Sequence, residues 1–404
     1  MQARARLVGM AAIAASACSS VIPQLPSLGG PGWIEVRSEH FTLWTDASGR
    51  RGRELVREME HHWQVIGRAM NAPQTGRSFV IALRDAQETA AYLPRNVVAA
   101  VWDSDGPTLQ PGIVLSAYAH DYDHVISHEL SHVISSGIIA NQPHWLSEGI
   151  ATYFEMADLD AGQASVQIGI PRDDRTGYLH AHPPINAGEL FACRDHTCID
   201  GAFYATSWAT VSFLLNTRFD QLATFFARLN ALPHGRRGEV WRQAWTEAFP
   251  DLPPAQLDRQ LGEWLVTGQV HLPRITVASR DYPATGRWLD DADALAARSL
   301  LKLMFSHDIE AVTDQLTQAL ALDRTNVLAR LVEASLHQAV APADARATAA
   351  AHPDDWRAWW LVAFALQPKP AAAGERSRAL ARMCALLGED PDRCAHSPTH
   401  QTVK

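Results

Sequence analysis

Two histidines and two glutamates in the middle of the chain have the spacing of a metal site with its own general base. His128 and His132 are four residues apart in the segment HELSH, so that on one helix both imidazoles can reach a single ion. Glu129 would point beside that ion, where it can take a proton from a bound water. Glu148, in the segment WLSEGIATYFE, can be the third ligand that a catalytic zinc requires. The spacing therefore predicts a zinc (Zn2+) site with one open coordination position.

The flanking sequence predicts two helices that can hold these side chains. Asp121 and Asp123 suit a helix start, and the apolar residues that follow them can anchor the helix in a core. Gly137 and Pro143 allow the chain to end this helix and turn back into a second helix, which carries Glu148. A chance match to HExxH is the competing explanation, and the agreement among these parts argues against it.

His120 and His124 continue the four-residue spacing upstream of His128. They could bind a metal together with it. Only the pair of His128 and His132 has a glutamate next to its first histidine, however, so we expect the upstream histidines to lie in a solvated first helical turn.

The segment resembles the gluzincin metallopeptidases, and specifically the bacterial peptidase MA-like group, which pairs HExxH with a second helix of the form W-L-x-E-G-x-A-x-Y. The resemblance implies that His128, His132 and Glu148 bind zinc and that Glu129 is the catalytic base. It also implies a peptide or protein substrate. The two motifs lie in one stretch of the chain, HELSH followed by WLSEGIATY.

Two later segments extend this resemblance to roughly Trp33 to Gly268. YATSWATVSFLL, which begins at Tyr204, is similar to a further helix of the family, and AFPDLPPAQLDRQLGEWL is similar to its closing helix. The hydroxyl of Tyr204 could reach the site and donate to the oxyanion of a tetrahedral intermediate. The alternative is a tyrosine that packs in the core with its hydroxyl bonded elsewhere.

The resemblance also raises two questions about the surroundings of the site. Thr152 stands one turn after Glu148, where related enzymes often have an acidic residue that orients a ligand histidine, and Glu155 could substitute for it. In gluzincins the edge strand before the metal helix pairs with the substrate backbone. GIVLSAY, from Gly112 to Tyr118, is expected in that position, with a plain core strand as the alternative.

The pattern along the chain predicts an α+β fold in two parts. Residues 33–279 are expected to form a zincin-like metallopeptidase domain with a small sheet and active-site helices, and residues 280–287 a boundary. Residues 288–394 are expected to form an all-α helical-repeat domain, since residues 319–329 resemble the join between tetratricopeptide repeats. A plain helical bundle is the alternative. Residues 395–404 are expected to be a flexible tail.

The start of the chain predicts export and lipid anchoring. Two arginines precede an apolar run that ends at Cys18, and this run is too short to span a bilayer, so residues 1–18 are expected to be a lipoprotein signal with Cys18 as the lipidated residue. An ordinary signal peptide cut nearby is the alternative. Residues 19–32 are expected to be a disordered linker. Ser19 after the cysteine resembles outer-membrane lipoproteins, which implies anchoring there, facing the periplasm of a bacterial envelope.

The four remaining cysteines suit an oxidising compartment. Cys193 and Cys198 are close in one loop, and Cys384 and Cys394 flank a turn, so two disulfides are expected. A metal site made by Cys193, Cys198 and His196 is the alternative.

The composition allows two cores and disfavours nucleic acid as a partner. The chain has 404 residues, 47% of them hydrophobic, and a net charge of −9, so there is no basic excess to bind phosphates. A complete set of ligands and base indicates that the protein could catalyse hydrolysis, but it does not identify a substrate. A second class of function therefore stays open, an envelope assembly or quality-control scaffold that binds protein partners through its helical repeats.

Overall fold

The computed structural model describes residues 23–72, 77–93, 97–102, 107–118, 122–155, 165–194, 196–232, 240–268, 270–278, 280–306, 308–367 and 370–388. Several sequence predictions concern residues outside these segments: the signal with its lipidation site Cys18, the histidine His120, the helix-start residue Asp121, the cysteine Cys394 and the tail 395–404.

A six-stranded mixed sheet forms the centre of the described fold. Its strands are β1 (Trp33–Arg37), β2 (Phe41–Thr45), β3 (Ser78–Leu83), β4 (Ala99–Trp102), β5 (Gly112–Ser116) and β8 (Thr285–Leu289). Their spatial order is β4-β5-β3-β2-β1-β8, with β2, β3 and β5 parallel to one another and β4, β1 and β8 antiparallel to their neighbours. Two further strands, β6 (Ser165–Gln167) and β7 (Arg274–Thr276), form a separate antiparallel pair.

The central position of strand β3 in the sheet explains why its sequence is almost entirely apolar. Val80 and Ala82 face the core on one side of the sheet. Phe79, Ile81 and Leu83 face the core on the other side. Because successive side chains of a strand point to opposite faces, a strand covered by helices on both faces needs apolar residues at every position.

Ten helices precede residue 268 in the described segments. They are α1 (Gly49–Ala69), α2 (Ala86–Ala90), α3 (Tyr122–Ile138), α4 (His144–Phe154), α5 (Asp173–Ala181), α6 (Ala187–Ala192), α7 (Gly201–Thr217), α8 (Phe219–Ala231), α9 (Val240–Ala248) and α10 (Pro254–Thr267). Helices α1, α3, α4 and α7 build the core on the first face of the sheet. The structure therefore confirms the coarse prediction of a mixed α+β fold.

The C-terminal helices cover the second face of the same sheet. They are α11 (Asp291–Leu301), α12 (Ile309–Leu322), α13 (Val327–His337), α14 (Pro342–Ala351), α15 (Trp356–Ala365) and α16 (Ala373–Leu387). Helices α11, α12 and α13 share a core with the sheet, and α13 to α16 share a further core. The region expected as a separate helical domain thus packs directly against the sheet.

Three local expectations are corrected. Residues 23–32, expected as a disordered linker, contain a short 3-10 helix, and Ser27 donates its backbone N–H to Asp291 at 3.1 Å. Thr285 to Arg287, expected in a boundary, pair with β1 as part of β8. GIVLSAY is not an edge strand, since β5 lies between β4 and β3, and the edge strand on that side of the sheet is β4.

Among the described residues, the helices are all too short or too polar to cross a lipid bilayer.

Candidate metal centre

Helix α3 holds the two histidines by burying the opposite side of the helix. Ile126 and Leu130 are fully buried in the core beneath it, and Ser131 donates its hydroxyl to the carbonyl of Ser127 at 2.6 Å. This anchorage leaves His128 and His132 partly exposed, 14% and 12%, on the side away from the core. The two rings lie 4.8 Å apart between centroids, at an interplanar angle of 76°.

Helix α4 brings Glu148 opposite these histidines, and a glycine sets how closely the next helix can approach. A Cβ atom on Gly149 would lie 2.6 Å from the backbone oxygen of Ser207 on α7. No side chain fits at that distance, so only glycine permits this contact between α4 and α7. Because Tyr204 lies on α7, the same contact helps to set the distance of Tyr204 from the candidate metal ligands.

Three ligand atoms from these helices converge on one point. Nε2 of His128 and Nε2 of His132 are 3.1 Å apart, and they lie 3.3 and 3.5 Å from Oε2 of Glu148. Zinc with tetrahedral angles and bonds of about 2.0–2.1 Å places neighbouring ligand atoms about 3.3 Å apart. The three residues are also the set of His, Cys, Asp and Glu in the described segments that could hold an ion. Donor types and spacing both fit a zinc ion.

The outer nitrogen of each histidine has a partner that orients the ring. Nδ1 of His128 lies 2.8 Å from Oε1 of Glu155, and Nδ1 of His132 lies 2.9 Å from the hydroxyl of Ser147. A proton on Nδ1 leaves the lone pair of Nε2 free for a metal. Glu155 is thus the acidic partner of His128, in place of the residue one turn after Glu148, which is the buried Thr152.

The electrostatic potential at this site favours a bound cation. Glu148 and Glu155 raise the pKa of His128 to about 10, although burial opposes its charge. Burial raises the pKa of Glu148, but the neighbouring histidines outweigh it and hold the pKa well below its usual range. Burial raises the pKa of Glu129, and the two histidines oppose that rise. Without a metal, the carboxylates draw a proton onto His128, and a divalent cation would take its place.

The structure brings Tyr204 to the same site. Asp200 caps the start of α7 by accepting the backbone N–H of Phe203 at 2.8 Å, and Tyr204 lies in the first turn of that helix. Its ring centroid is 6.0 Å from that of His128. Burial, followed by the charge of Glu148, raises the pKa of its hydroxyl above the ordinary value, so the group remains a proton donor at neutral pH.

The upstream histidine and the cysteine pair behave differently from metal ligands. Nδ1 of His124 lies 2.9 Å from the backbone oxygen of Glu155, so His124 braces the end of α4. Cys193 and Cys198 form a disulfide, as predicted, with Cα atoms 5.7 Å apart. Cys384 is also disulfide-bonded, and Cys394 lies outside the described residues.

Sequence reasoning missed two residues of this arrangement, Ser147 and Arg175. Ser147 is adjacent to Glu148 in the sequence, so it could have been found as a hydroxyl on the same helical turn as a ligand. Arg175 lies on α5, where its guanidinium stacks over Tyr204 and approaches Glu155. No spacing in the sequence links it to either residue.

The candidate site lies in the part of the chain that matches a family model. Residues 124–233 match a family model described as a protein of unknown function (DUF1570). The matched region begins within α3 and contains the three ligand residues, Glu129 and Tyr204. A search of curated proteins finds no match.

Proposed function

We propose that the chain is a zinc-dependent metallopeptidase of the gluzincin type that hydrolyses peptide bonds in proteins or peptides of the bacterial envelope. The observation that carries the proposal is the convergence of Nε2 of His128, Nε2 of His132 and Oε2 of Glu148 within 3.5 Å of one another. Four-coordinate zinc requires this separation, and three protein ligands leave one position for water. The resemblance to the HExxH family adds the same ligand set.

The residues around the ligands have separable roles in this proposal. Bound zinc supplies Lewis acidity, which makes water a nucleophile near neutral pH. Glu129 takes the proton from the attacking water and delivers it to the leaving amine. Tyr204 donates its hydroxyl to the oxygen of the scissile carbonyl as negative charge develops on it. Glu155 and Ser147 keep the two imidazoles in the ligating orientation.

Strand β4 is the proposed docking edge for a peptide substrate. It is the edge of the six-stranded sheet on the side of α3, and it runs antiparallel to β5. Val98, immediately before it, is 52% exposed. An extended peptide can add to such an edge through backbone hydrogen bonds, which suits a protease whose clients differ in sequence.

The remaining parts of the proposal concern placement in the cell and partners. We propose a zincin-like arrangement for the region up to residue 279, a tetratricopeptide-like arrangement for α11 to α16, and a lipid anchor on Cys18 at the outer membrane. Cys18→Ser should release the protein from membranes, because a lipid chain is the proposed source of membrane affinity. Fractionation of the variant with membranes would contradict the anchor.

A groove among the last three helices favours the scaffold as a second candidate. Residues of α14, α15 and α16, among them Trp359, Val362 and Ala379, line a space of about 270 Å³. A protein partner could bind there. Full rescue of a deletion strain by Glu129→Gln would identify binding as the function, whereas loss of rescue would identify hydrolysis.

The direct test combines metal analysis with cleavage profiling. The purified soluble form should contain about one zinc per chain, and proteomic profiling should detect peptides that it produces and that Glu129→Gln does not. Zinc-free protein with no cleavage difference would overturn the proposal.

A further inference from the structure

Arg175 contacts two residues of the proposed site at once. Its Nη2 lies 3.6 Å from Oε1 of Glu155, and its guanidinium carbon lies 4.8 Å from the ring centroid of Tyr204. Its Nη1 donates to the neighbouring Asp174 at 3.0 Å, and the side chain is only 15% exposed. A buried, always charged side chain between two functional residues is costly unless its contacts offset the desolvation.

The contact with Glu155 controls the orientation of a ligand histidine. The Glu155 side chain is 5% exposed, and the oxygen that Arg175 approaches is the one that lies 2.8 Å from Nδ1 of His128. A guanidinium at this distance makes no hydrogen bond to the carboxylate, but its charge offsets the burial of the carboxylate and favours the observed position. This position favours the orientation of the His128 ring in which Nδ1 faces Glu155 and Nε2 faces the other candidate ligands.

The contact with Tyr204 controls the orientation of its ring. A guanidinium stacked on an aromatic face is attracted by the π electrons, and the attraction grows where water is excluded. The Tyr204 ring also neighbours His128, at 6.0 Å between centroids. The stack therefore holds the ring, and with it the direction of the hydroxyl.

We infer that Arg175 is a positioning residue that couples the metal ligand His128, through Glu155, to the proposed oxyanion donor Tyr204. The inference rests on the proposed function for the role of Tyr204, but its effect on His128 does not depend on catalysis. Arg172, one turn earlier, is the matched control. It lies 4.0 Å from the other oxygen of Glu155, and its side chain is 31% exposed.

Two substitutions of Arg175 separate the two contacts. Arg175→Met removes both, so zinc affinity measured by chelator competition should fall about 10-fold, and kcat should fall while KM changes little. Arg175→Lys keeps the charge beside Glu155 but not the planar stack, so zinc affinity should stay within a few-fold while kcat still falls. Arg172→Met should leave both quantities within a few-fold. If Arg175→Met does not fold, the lysine variant carries this test, and an unchanged kcat would overturn the coupling to Tyr204.

A measurement on the metal-free protein separates this inference from the proposed function. With ¹⁵N-labelled histidine, NMR detects the Nδ1–H proton of His128 that points to Glu155, and His128→Gln assigns its signal. The Nδ1–H signal should be lost or shifted in Arg175→Met, or in Arg175→Lys to a lesser degree, and kept in Arg172→Met. An unchanged Nδ1–H signal of His128 with unchanged zinc affinity in Arg175→Met would overturn the inference even if the wild type hydrolyses peptides. A wild type without zinc or activity, whose Nδ1–H signal nevertheless changes in Arg175→Met, would overturn the proposed function and leave the orientation of His128 by Arg175 standing.

Discussion

Two of the clusters of largely buried ionisable side chains in the described segments differ in whether their atoms converge. At the candidate metal centre, the side-chain atoms of His128, His132 and Glu148 face one another at 3.1 to 3.5 Å. The second cluster lies where β2 and β3 end and α11 crosses the sheet. Its members, each 3% exposed or less, are Asp46, Glu88, Tyr92 and Arg298.

The second cluster is closed and poorly paired. Nη2 of Arg298 is 3.8 Å from Oε1 of Glu88, too far for a hydrogen bond. Nε and Nη2 of Arg298 and the hydroxyl of Tyr92 have no hydrogen-bond partner among the described residues. Burial, and next the charge of Asp46, raise the pKa of Glu88 to about 8. Two carboxyls in this space therefore cannot both be ionised at neutral pH.

Both clusters shift pKa values, so a perturbed pKa does not distinguish them; their geometry does. Of the two, the candidate metal centre has several lone pairs aimed at one point, and it has outer partners, Glu155 and Ser147, that orient the imidazoles. The second cluster joins the sheet to α11, and we expect its substitutions to change stability and not zinc content.

Removing a ligand should have the largest effect. Glu148→Ala or His132→Ala leaves two protein ligands, so zinc content of the purified protein should fall sharply and hydrolysis should be lost. Glu88→Gln, which alters the second cluster, should retain about one zinc per chain. Elemental analysis of the three variants against wild type makes the comparison. Full zinc in both ligand variants would show that the convergence of atoms has no metal-binding role.

Loss of the base should come next. Glu129→Gln keeps the shape of the side chain but cannot accept a proton, so kcat should fall about 10² to 10⁴-fold while zinc content is retained. Activity within a few-fold of wild type would remove Glu129 from the proposed mechanism. In that case Glu129→Gln would be the reference against which variants of other possible bases are compared.

Tyr204→Phe should have a smaller effect on the same rate. If its hydroxyl donates to the developing oxyanion, kcat should fall about 10²-fold, with KM and zinc content nearly constant. A tyrosine with only a structural role would lower the free energy of unfolding by about 1 kcal/mol and leave kcat within a few-fold. Measuring kcat, zinc content and melting temperature on this one variant distinguishes the two outcomes.

The sequence predicted the local elements around the site, because their signals lie within short windows. Helices α3, α4 and α7 and the strand β5 appear where the sequence indicated them. The three candidate ligand residues could be predicted from the sequence because helical spacing and a short turn link them. The disulfide of Cys193 and Cys198 could also be predicted, because the two cysteines are close in the sequence.

The arrangements that depend on distant parts of the chain were not predicted. The edge strand proved to be β4, because the order of strands depends on pairing between segments that a window does not compare. Arg175 reaches Glu155 from a separate helix, and α11 covers the sheet from beyond an expected boundary. The buried cluster of Asp46, Glu88 and Arg298 also joins three distant segments, so nothing in the local sequence marks it.

The second cluster should produce the smallest effect, a change in how stability depends on pH. The pKa of Glu88 is raised from its ordinary value near 4.5 to about 8 in the folded protein, so the folded state holds a proton that the unfolded state releases between these values. Its contribution to stability is therefore complete below about pH 4.5 and is lost as the pH rises towards 8. Glu88→Gln stays neutral throughout, so its melting temperature should fall less than that of wild type between pH 5 and pH 8, about the span of this titration. For Glu54→Gln, a change at a partly exposed position on α1, the melting temperature should depend on pH as it does in wild type. A Glu88→Gln curve parallel to that of wild type would mean that the carboxyl is ionised in the folded protein and that Arg298 pairs with it more strongly than a separation of 3.8 Å allows.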